Sequence, residues 1–172
     1  MNIIKSTSKL SIVKVVNLLA GFVGITIFAR QIGAEQLGIF FLFQALLSVL
    51  TLPANFGING AVEKRISGGE ESAGILSTAI VLKMVPLVSI SLGVIVFDGY
   101  ITEYLGTDVT LLLIVGMFLS EYADLTINVL NGELRVGDTA AVKLIKQIVW
   151  VGGGLLVVTT GYVNGTVGLI YA

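Results

Sequence analysis

Two carboxylates and an amide lie close together in an otherwise apolar stretch of this chain. Glu121, Asp124 and Asn128 have the spacing i, i+3 and i+7. This spacing predicts a shared helical face that Met117 continues. An ionised carboxylate deep in a bilayer costs on the order of 2.5–3.5 kcal/mol. If this stretch crosses a membrane, the two acids are therefore expected to face a protein interior or a water-filled cavity.

Basic and amide side chains occur in two other apolar stretches. Lys14 and Asn17 share a stripe of the first stretch, and Lys83 lies in a later one, about 12 Å from Ile75 along a helix. We expect Lys14 and Lys83 to pair with the two acids around a common polar cavity that faces the cytoplasm, because unpaired charges in lipid are expensive.

Blander interpretations exist for both sets of residues. The acids lie roughly 9 to 14 Å inside the apolar stretch that ends at Leu130. If that stretch instead ends near Ser120, the acids belong to a helical extension outside the membrane. Lys14 lies only about 6 Å from the end of its own stretch, so its stem is long enough to snorkel to the interface.

The composition identifies the environment that these residues share. Of the 172 residues, 55% are hydrophobic and only 12% are charged, and the mean hydropathy is +0.98. A soluble domain of this size does not need so much apolar surface. Several stretches are apolar all round for about 20 residues, which is the length that crosses a bilayer. The sequence therefore predicts an all-α, polytopic transmembrane helix bundle.

The predicted bundle has five full spans and the start of a sixth. The full spans are predicted at Leu10–Ala29, Leu37–Gly57, Ile75–Phe97, Val109–Leu130 and Ala140–Gly161, and the sixth begins at Tyr162. The sixth stretch has about half the length that a bilayer requires. The chain is therefore expected to be the N-terminal fragment of a longer transporter.

The lysines and arginines predict the orientation, because cytoplasmic loops retain positive charge. Basic residues precede the first span and follow the second and fourth, all on one side; they are Lys5, Lys9, Lys64, Arg65, Arg135, Lys143 and Lys146. The loop Asp98–Asp108, on the opposite side, carries three acids and no base, and its spacing is typical of a solvated loop. We therefore expect a multi-pass protein of the cell membrane with a cytoplasmic N-terminus.

The composition also limits the chemistry. The chain has no cysteine and no histidine, so it lacks the usual zinc ligands and the commonest general base. We expect no catalytic residue, no metal site and no cofactor, and hence no enzyme. A net charge of −1 provides no concentrated basic surface, so no nucleic-acid partner is expected. Residues 1–172 are expected to form a single transmembrane helical unit.

The stretch from Phe28 to Ile66 carries a pattern that resembles a known family. Residues 29–38 read ARQIGAEQLG, and the second span leaves through FGINGAVEKRI at residues 56–66. This is similar to the polysaccharide-flippase branch of the multidrug/oligosaccharidyl-lipid/polysaccharide exporter superfamily. There the first hairpin typically reads A-R-x-L-G-x-x-x-x-G, and Ile32 replaces the leucine.

The resemblance implies a parent with two pseudo-symmetric lobes, like those of the MATE exporters, and a central cavity for a lipid-linked, pyrophosphate-bearing glycan. The chain would supply part of the N-terminal lobe and would need the C-terminal half as a partner. Substrate-binding candidates are then Lys14, Asn17, Arg30 and Lys83; candidates for coupling or charge pairing are Glu121, Asp124 and Asn128.

Other functions stay open at this point. A cation-coupled multidrug exporter of the same superfamily would have a similar topology, and the two acids would suit a cationic substrate. A membrane-embedded glycosyl or acyl transferase would need acids at an interface, where Asp98, Glu103 and Asp108 are the outward candidates. A purely structural subunit would have no need for deep ionisable residues.

Overall fold

The computed structural model describes residues 3–135, 138–139, 142–145, 148 and 152, with the backbone alone in residues 3–13. None of these residues lies in a strand, which confirms the all-α prediction for the described part of the chain. The helices are α1 (Ile3–Ile32), α2 (Ala34–Asn55), α3 (Ile58–Ser67), α4 (Ser72–Val96), α5 (Asp98–Leu105) and α6 (Thr110–Gly132).

Four of these helices are long and apolar enough to cross a membrane. The qualifying segments are Lys14–Ile32, Ala34–Asn55, Ser72–Val96 and Thr110–Gly132. They coincide with the first four predicted spans to within a few residues at each end. The fifth predicted span, at residues 140–161, lies largely outside the described residues, and the sixth lies wholly outside them.

The chain divides into two compact units. One consists of residues 1–41 and 136–172, and the other of residues 42–135. In the first unit, α1 and α2 are joined by Gly33 alone, which has a φ of +86°. Just beside this turn, Phe28, Leu37 and Phe40 form a buried apolar cluster.

The second unit contains a short helix that was not predicted from the sequence. The stretch treated as a basic exit from the second span folds into the ten-residue helix α3. Gly57, in the left-handed region at φ +80°, turns the chain into it. Val62 and Ile66 then bury one side of α3 in an apolar cluster with Leu125 of α6.

The predicted solvated loop after α4 is also partly helical, so that prediction was wrong for residues 98–105. Asp98 accepts hydrogen bonds from the hydroxyls of Thr102, at 3.5 Å, and Thr110. These bonds tie the first turn of α5 to the first turn of α6. Leu105 is buried at the other end of α5. Asp98 thus links α5 to α6 through the hydroxyl of Thr110.

Candidate functional site

The buried side of α4 has one charge in the middle of an apolar row. The buried residues of this row are four positions apart along α4; they are Ile75, Ala79, Lys83, Leu87 and Ser91. Residues four apart lie on the same face of a helix. The spacing therefore places Lys83 inside the packed unit rather than on its surface.

The buried side of α6 repeats this pattern with an acid. Leu113, Met117, Glu121 and Leu125 are buried at intervals of four residues. Glu121 thus lies between two apolar side chains of its own helix, as Lys83 does on α4.

The two charges meet in an ion pair. The Lys83 Nζ atom donates a hydrogen bond to Glu121 Oε2 at 2.5 Å. The side chain of Lys83 is 0% exposed and that of Glu121 is 5% exposed. Charged side chains are almost never buried to this degree unless they are paired. Of the four ionisable residues that were expected to pair, the structure brings these two together.

Two apolar clusters enclose the pair. On one side, Leu87 and Met117 pack with Ala54 of α2. On the other side, Ala79 and Leu125 pack with the cluster formed by α3. With little water nearby, the attraction between the charges is weakly screened, but each ion has also lost its hydration. In these surroundings, neither charge can remain buried without its partner, except at a high cost in free energy.

Two polar atoms close to these clusters were not singled out by the sequence analysis. Tyr122 packs against both clusters, and its hydroxyl is buried without a hydrogen-bond partner among the described residues. The same holds for Oδ1 of Asn59 on α3. Unpaired buried polar atoms are costly, so both are unsatisfied groups inside the packed unit.

Asp124 and Asn128 do not join the pair. Asp124 is exposed and Asn128 is half-buried, and the Asn128 side-chain amide donates to the backbone carbonyl of Asp124 at 2.7 Å. The face that was predicted to carry all three polar residues is thus divided, because the buried row of α6 advances by four residues and Asp124 lies three beyond Glu121. Their proposed part in coupling stays a prediction.

Lys14, Asn17 and Arg30 lie on α1, in the other compact unit. Lys14 and Arg30 are exposed, and Asn17 is half-buried. The side-chain oxygen of Asn17 is buried without a hydrogen-bond partner in the described part of the chain. The proposed roles of these three residues in substrate binding are not tested by the structure.

A second ion pair of the same unit lies at its surface. Arg65, near the end of α3, donates from Nε and Nη2 to both carboxylate oxygens of Glu70, with a shortest contact of 2.5 Å. These side chains are 55% and 48% exposed. The hydrogen bonds and the charge of the guanidinium lower the pKa of the Glu70 carboxyl from its ordinary value.

Comparison with known proteins agrees with the resemblance noted in the sequence. Residues 3–170 match the family described as "Polysaccharide biosynthesis protein". The chain is 48% identical over 161 residues to a protein of Haloferax volcanii named "Probable low-salt glycan biosynthesis flippase Agl15". That alignment covers 94% of this chain but 34% of the relative, so the chain spans about a third of the relative's length. No solved structure matches the chain.

Proposed function

The chain belongs to the polysaccharide biosynthesis protein family, and from this premise we propose that it forms part of a transporter that moves a lipid-linked glycan across the cell membrane. The observation that carries the proposal is the similarity to a named glycan flippase over 94% of the chain. Four helices of membrane-crossing length agree with it, but helices of this kind occur in many classes of membrane protein.

The relative's greater length gives the proposal its second part. Because this chain aligns with only 34% of that protein, we infer that the complete transporter needs further segments that this chain does not supply. We place the chain in the N-terminal lobe of a two-lobe transporter, with its N-terminus in the cytoplasm. The basic residues on one side of the predicted spans support this orientation.

The polar residues divide into two proposed groups. A phosphate or pyrophosphate head group requires cations that it can reach, and Lys14 and Arg30 are exposed on α1. Asn17 lies one turn from Lys14 and adds an amide. The ammonium group of Lys83 is bound to the Glu121 carboxylate. Lys83 can therefore join this group only in a state in which Glu121 has moved away or is neutral.

The second group consists of the acids on α6. In this proposal Glu121 holds Lys83 and fixes the packing of α4 against α6. Asp124 is exposed, so it can exchange a proton or cation or contact another helix of the transporter, with Asn128 beside it.

The proposal can be tested in cells that lack their own exporter and carry the complete protein. We expect Lys14→Gln and Arg30→Gln to reduce the amount of lipid-linked glycan that reaches the outer face. Lys64→Gln is the matched control, because Lys64 is an exposed base on the short helix α3, and it should leave export unchanged.

Protein level and detergent-extracted size should stay normal in all three variants. Full export by both α1 variants would remove these cations from the mechanism. Efflux of cationic drugs without any glycan export by the unmodified protein would favour the multidrug exporter instead.

A further inference from the structure

Helix α5 has a buried side and an aromatic side, although it is only eight residues long. Leu105 is buried and Asp98 is half-buried on the side that meets the rest of the unit. Tyr100 and Tyr104 are four residues apart and so lie about 40° apart around the helix axis. Glu103 lies about 60° from Tyr100 and about 100° from Tyr104, on the flank of the aromatic side.

The aromatic side of α5 is uncovered. Tyr100 is 74% exposed, Tyr104 is 62% exposed, and Phe97, directly before the helix, is 56% exposed. The rings of Phe97 and Tyr100 are neighbours, with centroids 6.2 Å apart. Three adjacent aromatic rings with so much free surface indicate an interaction surface rather than scattered exposed residues.

This aromatic surface continues the lipid-facing surface of α4. The last turns of α4 expose Leu92, Ile95 and Val96, and α4 is one of the helices long enough to cross a membrane. The exposed apolar residues of α4 therefore lead along the chain into the exposed rings without an intervening polar residue at positions 95–97. Polar groups begin at Asp98, where the chain turns into α5.

We propose that α5 lies in the headgroup layer of the bilayer, with Tyr100 and Tyr104 in contact with lipid and Glu103 in water. Tyrosine suits this depth because its ring is apolar while its hydroxyl remains hydrated. An amphipathic helix can likewise lie in the plane of the interface with its apolar side in contact with lipid. The partner of this surface is therefore the lipid headgroup region, and the inference is independent of what the protein transports.

The contacts of Asp98 fix the roll of the helix about its axis. Because Asp98 accepts hydrogen bonds from Thr102 of α5 and Thr110 of α6, the first turn of α5 is tied to the end of a membrane-length helix. Burial of Leu105 holds the last turn. Asp98 and Leu105 thus hold both ends of α5 on the side that packs against the unit. The tyrosines therefore face away from the protein and reach the surrounding lipid.

Spin labels can test the depth of each side of α5. In a cysteine-free version of the complete protein, Tyr100→Cys, Tyr104→Cys and Glu103→Cys would each be labelled with a nitroxide. The proteins would be reconstituted in vesicles of phosphatidylcholine and phosphatidylglycerol. Accessibility to oxygen, which concentrates in lipid, would then be compared with accessibility to a water-soluble nickel chelate.

We expect the ratio of oxygen to nickel accessibility to be severalfold higher at positions 100 and 104 than at position 103. Nickel accessibility at 100 and 104 equal to that at 103 would overturn the proposal, since the rings would then face water, where a soluble glycan could bind. Protection of 100 and 104 from both reagents would also overturn it, because another protein segment would then cover them. Unchanged protein level and detergent-extracted size of each labelled protein is the control for an intact fold.

Discussion

Two ion pairs of the same unit have the same shortest contact and opposite surroundings. The nitrogen–oxygen distance is 2.5 Å in Lys83–Glu121 and in Arg65–Glu70. The first pair is enclosed between apolar clusters, while about half of each side chain of the second is open to solvent. A contact distance therefore does not measure what a pair contributes. The difference lies in what each charge would meet if its partner were removed.

For the surface pair, water replaces the partner. Exposed pairs contribute little for this reason, and salt screens them further. For the enclosed pair, the remaining charge would have no counter-ion and would be surrounded by the apolar side chains of Leu87, Met117 and Leu125. Removing one partner of a buried pair is strongly destabilising, whereas removing both is often tolerated. The enclosed pair is thus expected to act as one unit, and the surface pair as two independent side chains.

The largest expected effect comes from removing Glu121 alone. Glu121→Leu leaves the Lys83 ammonium buried without a counter-ion, and we expect the complete protein to lose about 3–5 kcal/mol of stability. Thermal unfolding of the detergent-solubilised protein would measure the loss. Glu70→Leu is the matched control at the surface pair and should leave the unfolding temperature nearly unchanged.

The double variant Lys83→Met with Glu121→Leu sharpens this prediction. It replaces the pair with apolar side chains and should recover most of the stability lost in the single variant. If the double variant is as unstable as Glu121→Leu, the ion pair itself stabilises the fold, and the loss in the single variant is not caused by the unpaired Lys83 charge alone. Recovered stability without recovered glycan export would assign the two charges a part in transport as well.

A smaller effect is expected where α3 packs on α6 without any charge. A Cβ atom at Gly132 would lie 2.8 Å from Cβ of Ile66 and 3.0 Å from the carbonyl oxygen of Glu63. Gly132→Ala must therefore push α3 away from α6, which we expect to cost roughly 1–3 kcal/mol.

Gly116→Ala, on the same helix α6, is the control for this substitution. There the added Cβ would make an ordinary contact of 3.5 Å with Leu47. Thermal unfolding of both variants gives the comparison. Equal unfolding temperatures would mean that α3 shifts at no measurable cost, and would contradict this prediction.

The smallest effect is expected from Glu70→Gln, and it should depend on pH. Since Arg65 lowers the pKa of Glu70 in the folded protein, the pair stabilises the fold at pH values above the glutamate pKa of the unfolded chain. This contribution disappears as the pH falls through the lowered pKa of the folded state. The small difference in unfolding temperature between wild type and Glu70→Gln should therefore be greatest at neutral pH, shrink in acid, and shrink in high salt. A difference that grows in acid would contradict the assignment.

The sequence predicted that Lys83 and Glu121 belong to ion pairs, because an unpaired charge inside a membrane-spanning stretch carries a high free-energy cost. It could not say which acid would meet which base. Asp124 was an equal candidate, and the choice depends on the four-residue advance of the buried row of α6. Which residues of α6 are buried depends on how α6 packs against α4, and the sequence of one helix alone does not determine this packing.

The short helices α3 and α5 were missed for a related reason. Each has only two or three turns, so few residues carry the helical period, and each lies between spans whose apolar signal dominates the sequence. The three residues Ile58, Val62 and Ile66 were the available signal for α3, and the pair Tyr100 and Tyr104 was the signal for α5. The long spans were predictable because about 20 apolar residues in a row have few alternatives.

The turn at Gly33 has a consequence for how the protein enters the membrane. A single residue joins α1 to α2, and its φ of +86° is one that side-chain-bearing residues rarely adopt. So short a connection leaves no polar loop between the two membrane-length helices. During synthesis, α2 is therefore expected to enter the bilayer directly after α1, because there is no loop between them to cross the membrane separately.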